Sequence, residues 1–112
     1  MAGTLEISDD LCWMPAGWVY DNVLERLASN VKDKDASLAS LLLQSRTGEN
    51  GGYCDLRGCA ANELLMLEQA AADAYAQVKR EGPSPFHDPS SYPGFLEQFR
   101  TLREMLRGRR QK

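Results

Sequence analysis

The chain has 112 residues, of which 43% are hydrophobic and 26% charged, with a net charge of −3. That length suits one domain with its own core, and that composition excludes wholesale disorder. No apolar run approaches the ~20 residues of a membrane-spanning helix. The acidic start, MAGTLEISDDL, lacks the basic and apolar regions of a secretory signal, so a cytoplasmic protein is expected.

Residues 1–14 read as an irregular lead-in or a short edge element. Pro15 opens a helical pattern that runs to about Val31. At about 100° per residue, Tyr20, Val23, Leu24, Leu27 and Val31 share one face, with Asp21 and Glu25 on the other. VKDKDAS is a polar break in which Asp35 or Ser37 can cap a second helix over 37–46. That helix buries Leu38, Leu41 and Leu42, with Leu43 at the margin.

TGENGGYCDLRGC follows, and its four glycines mark a true loop; Tyr53 to Leu56 suit a short extended piece within it. A third helix spans 61–81 and stops at Gly82-Pro83, with Leu64, Leu67, Ala71, Ala74, Tyr75 and Val78 as its core stripe. The run Ala70, Ala71, Ala72 allows a neighbouring helix to come close. GPSPFHDPSSYPG is a proline-rich connector in which Ser90 or Ser91 can cap a last helix over 93–108. On it Phe95, Phe99, Leu102 and Leu106 fall within a sector of about 60°. The pattern predicts an all-α fold: a single-domain bundle of four main amphipathic helices with a Gly-rich and a Pro-rich loop. Residues 108–112 read as a basic tail.

Charge is sorted along the chain. Residues 1–99 carry 15 acidic and 7 basic side chains, whereas residues 100–112 carry one acid and six bases. Arg100, Arg103, Arg107 and Arg110 lie beside the apolar stripe of the last helix. This stripe is a solvated helix face that complements the helix dipole and the acidic body, or a grip for phosphates or carboxylates; the first reading ranks higher. A sequence pI of 5.1 and the lack of interleaved aromatics make nucleic acid the weaker partner class.

Trp13 and Trp18 are the aromatic anchors. Trp18 falls on the side of Asp21 and Glu25, a composition suited to a basic partner, although packing as a staple ranks ahead of it. Trp13 reads as a plug for the end of the bundle. In the long loop, Tyr53, Asp55 and Arg57 combine residue types common at interfaces. The carboxylate of Glu68 borders the core face of the third helix, where it can receive an arginine.

Cys12, Cys54, Cys59 and His87 could in principle form a Cys₃His zinc site, but Cys54-x₄-Cys59 is looser than a knuckle and the other two are remote. Three cysteines, an odd number, suit reduced thiols. A cysteine nucleophile served by His87 and Asp88 would need adjacent residues to converge, and no phosphate-cradling glycine motif is present. No catalytic residue, metal or cofactor is therefore assigned.

The resulting expectation is a small, non-catalytic protein that binds and masks a basic partner protein. A bacterial immunity protein that neutralises a toxin domain has this physical profile. The partner-binding residues are Trp18, Asp21, Glu25, Tyr53, Asp55 and Arg57. The alternative is a nucleic-acid-associated regulator acting through the arginine stripe. Whether the chain is a monomer or a homodimer is left open, because the alanine-rich third helix can pair with its own copy or with the second helix.

Overall fold

The computed structural model describes residues 3–50, 52–86 and 88–111, apart from the side chains of Glu49, Asn50, Arg110 and Gln111. In chain order the elements are β1 (Thr4–Glu6), β2 (Cys12–Trp13), α1 (Gly17–Val31), α2 (Ala36–Gln44), the single turn α3 (Thr47–Asn50), β3 (Tyr53–Asp55), α4 (Ala61–Glu81), a 3₁₀ turn at Pro89–Ser91, and α5 (Tyr92–Gln111).

The all-α expectation is overturned by a three-stranded mixed sheet of order β2-β1-β3. The segment read as an irregular lead-in or a short edge element supplies two of the strands, and the extended piece expected within 53–56 supplies the third. From Gly3 to Ile7 every second residue is buried, with Thr4 and Glu6 between them more open, which is the period of a half-buried strand. Ser8 then turns the chain: its Oγ accepts from the Leu11 amide at 3.1 Å, and the Ile7 amide donates to the Leu11 carbonyl at 2.9 Å. This returns β2 antiparallel to β1, with Leu5 opposite Trp13. On the other side β3 runs parallel to β1, with Leu5 opposite Cys54. Gly52, at φ +76°, supplies the backbone conformation that admits β3, and its carbonyl accepts from the Thr4 amide at 2.6 Å.

The four long helices lie close to their expected positions. On α1 the buried face is Val19, Tyr20, Val23, Leu24, Leu27, Ala28 and Val31. Asp35 caps α2 by accepting from the Leu38 amide at 3.0 Å. There the buried residues are Leu38, Ala39 and Leu42, while Leu41 turns outward and is 38% exposed. The Glu63 carboxylate accepts from the Ala60 amide at 2.8 Å at the start of α4, and Gly82, at φ +71°, ends that helix. The alanines Ala70, Ala71 and Ala74 are buried where α4 packs against α1 and α5. Phe95, Phe99, Leu102 and Leu106 of α5 are all buried, and the helix continues through Gly108 to Gln111.

Sheet and helices meet at Tyr20. A Cβ placed on Gly3 would lie 2.1 Å from Cγ of this ring, so the strand can cross the ring here only as glycine. The Tyr20 hydroxyl donates to the Ser45 carbonyl at 3.0 Å and lies 3.4 Å from that of Thr4. Burial pushes its pKa up, so it stays a donor. Trp13 stacks beside it at 6.3 Å and donates its indole N–H to the Gln98 carbonyl of α5 at 2.8 Å.

Gly3→Ala should therefore destabilise the protein by about 2 kcal/mol, as overpacking a buried contact does. Gly94→Ala, whose Cβ would meet nothing within 4 Å, should be neutral or slightly stabilising. Tyr20→Phe should cost about 1 kcal/mol for the lost hydroxyl. Urea unfolding followed by circular dichroism checks all three, and equal midpoints for the two glycine variants would contradict the contact.

Candidate functional site

Trp18 is the second residue of α1, one position before the buried face begins. Its inner face stacks on the buried ring of Phe95, with centroids 5.8 Å apart and planes 20° apart. The residue is nevertheless 49% exposed. Phe86 stands nearly perpendicular to it, at 6.4 Å and 86°. Phe86 is itself held edge-to-face by Tyr92 at 5.4 Å and Phe95 at 5.1 Å, and its amide donates to the Pro83 carbonyl at 3.0 Å. Trp18 is thus both packed on a buried ring and half exposed.

Beside these rings lies a recess of about 480 Å³. One wall is the helical series Trp18, Asn22 and Arg26; the other comes from the connector, with Pro85, Phe86, Asp88 and Ser91. Asp88 accepts from the Ser90 amide at 3.1 Å and from the Ser90 hydroxyl at 2.7 Å, both through Oδ1. These bonds hold its carboxyl below the usual range and keep it ionised. Arg26 donates from Nε to Asn22 Oδ1 at 2.7 Å and lies 3.9 Å from the Glu81 carboxylate.

Asp21 and Glu25 are not part of this recess. Asp21 accepts from both the amide (2.8 Å) and the hydroxyl (2.5 Å) of Thr47, which anchors the start of α3. Glu25 pairs with Arg46 at 2.9 Å. Tyr53, Asp55 and Arg57 lie at the sheet, in a separate patch. Tyr53 is 43% exposed on the edge strand. Arg57 grips Asp55 with two bonds of 2.9 Å and also reaches Glu6 at 3.1 Å and Asp9 at 3.4 Å. The Arg57 side-chain bonds, helped by its amide, pull the Asp55 carboxyl down to about 2. Arg109 of α5 donates to the carbonyls of Ile7 and Arg57, so the last helix is tied to this corner of the sheet.

Two of the four arginines of the stripe are turned to internal use. Arg100 bonds Glu97 and Glu104 on its own helix. Arg103 lies over the Tyr75 ring at 4.9 Å. With Arg107, Leu65, Glu68, Gln69 and Ala72 it lines a smaller recess, of about 270 Å³, between α4 and α5. The Arg110 side chain and His87 lie outside the described residues.

Cys54 is buried and Cys12 and Cys59 are half-buried, all three as free thiols. Burial, with the neighbouring Glu63 carboxylate, pushes the Cys59 thiol up to about 11. Among the described residues, no group of three or more His, Cys, Asp or Glu side chains is placed to hold a metal ion, and no helix is long and apolar enough to cross a membrane.

Sequence reasoning missed Phe86, Asp88 and Arg109 as contributors. Phe86 and Asp88 lie in a connector without periodicity, although the spacing of Trp18, Asn22 and Arg26 by four does mark one helical stripe. Comparison with protein families, with characterised proteins and with solved structures finds no match.

The Asp55–Arg57 pair has a readable pH signature. Its carboxyl titrates below the ordinary value of about 3.9, so the pairing is present at neutral pH and is lost only as pH falls through about 2. An NMR titration of Asp55 should show that midpoint, and Arg57→Ala should move it back into the ordinary carboxylate range. An unmoved midpoint would contradict the pair.

Proposed function

We propose that this chain is a small, non-catalytic binding protein that covers a basic surface of a partner protein. The observation that carries the reading is Trp18: a large ring, packed on Phe95 and walled by Phe86, that is still half exposed beside a recess. Rigid, half-open aromatic groups give much contact area at little entropic cost, and a few such residues dominate protein interfaces. The excess of acids over residues 1–99 supplies long-range attraction for a basic partner. Inhibition of a toxin domain by a bacterial immunity protein is one form this role takes. The three free thiols fit a reducing, cytoplasmic setting.

Two carboxylates from the expected contact set, Asp21 and Glu25, support the surface by holding α3 and Arg46. Tyr53, Asp55 and Arg57 form a second candidate contact patch. A nucleic-acid-associated regulator has less behind it, because Arg100 is held by its own helix's carboxylates and Arg103 by Tyr75.

Tagged protein used for affinity capture with nuclease present should retain one stoichiometric protein partner, and association should slow as salt rises. Trp18→Ala, with its fold verified by circular dichroism, should weaken that complex by roughly 2 kcal/mol, about thirtyfold, whereas Arg103→Glu with Arg107→Glu should leave it intact. Loss of all bound material on nuclease treatment would overturn the reading and favour the arginine stripe.

A further inference from the structure

The recess beside Trp18 has a chemistry more specific than an apolar anchor point. Three features converge on it. The indole of Trp18 is half exposed, the ring of Phe86 stands at 86° to it, and Asp88 presents a carboxylate on the same wall. Perpendicular aromatic faces offer their negative quadrupoles to a cation. Ser90 occupies only Oδ1 of Asp88, and among the described residues none donates to Oδ2. Arg26, at the other end, is bonded to Asn22 and offset by Glu81, so among the described residues the ionised groups here leave one negative charge in excess.

We propose that this recess takes one organic cation, an arginine side chain of the basic partner, with its guanidinium plane over Trp18 and its N–H groups toward Asp88. Arginine fits better than lysine because a planar guanidinium stacks on an indole while still donating to a carboxylate. The recess, at about 480 Å³, has room for such a side chain and part of the backbone that carries it. This proposal rests on the reading of the chain as a protein-binding domain and names the group recognised.

The test is an NMR titration of the whole protein with N-acetyl-arginine methylamide, and in parallel with its neutral citrulline counterpart. The arginine probe should shift the Trp18 indole N–H and the Phe86 ring signals in a saturable way, in the millimolar range typical of a single weak contact of a few kcal/mol. The citrulline probe should not. Asp88→Asn, which keeps the oxygen that Ser90 uses, should weaken the probe at least about threefold, and Arg26→Gln should tighten it by removing a like charge. Equal shifts from both probes, no shift at Trp18, or insensitivity to Asp88→Asn would overturn the proposal. If Trp18→Ala still abolished partner capture, those results would leave the binding-domain reading standing. Probe binding at Trp18 with capture unaffected by Trp18→Ala would sink that reading and retain the cation site.

Discussion

The contact between Gly3 and the ring of Tyr20 is the constraint on which the rest of the fold depends. Helices alone could close a core of this size. Here one tyrosine on α1 points out of the helical layer and is covered by a strand that can approach because its residue has no side chain. The hydroxyl of the same ring reaches the carbonyl that follows α2, and the Trp13 ring beside it reaches α5. Sheet, first helix, second helix and last helix are thus joined within two rings' breadth. Loosening that point would release Trp13 and then the α5 backbone, beneath which Phe95 supports Trp18.

Charged groups show a comparable division of labour. Two of the four arginines that look like a surface stripe in the sequence are spent on contacts within the molecule, Arg100 along its own helix and Arg103 on Tyr75, and Arg109, outside that stripe, reaches across to the sheet. Exposed pairs of this kind contribute little stability individually. Their larger effect is to fix where charge stands. The cleft beside Trp18 keeps Asp88 ionised in a wall of aromatic rings, and that contrast sets its chemistry apart from the salt-bridged corner around Arg57.

How much of this was legible in the sequence follows from the range of the forces involved. The α1 and α5 stripes were readable because their apolar residues repeat every three or four positions over several turns, and Asp35 announces α2. Leu41 was misassigned because a nine-residue helix has too few turns to separate a face from its margin. The extended piece that became β3 was visible, but the sheet it joins was not. Its alternation, Gly3 to Ile7, lasts five residues, and the strand that pairs with it on one side lies far along the chain. Of the candidate site, Trp18 was visible as an anchor, but its surroundings were not. Asp21 and Glu25 share its helix yet turn toward other elements, while Phe86 and Asp88 arrive from a connector that no periodicity describes.

The parallel pairing of β1 with β3 also bears on how the chain reaches this structure. Antiparallel β2 is joined to β1 by a turn of a few residues, so that hairpin closes a short loop. Cys54 must find Leu5 across roughly 50 residues, a closure that costs about 1.5 kcal/mol more in chain entropy than the hairpin does. The loop that carries β3 begins where α2 ends. The α1–α2 pair and the β1–β2 turn, being local, are therefore expected to form before the third strand closes on β1. A small, mostly helical domain consequently inherits the slower, non-local search of a β protein at its final step.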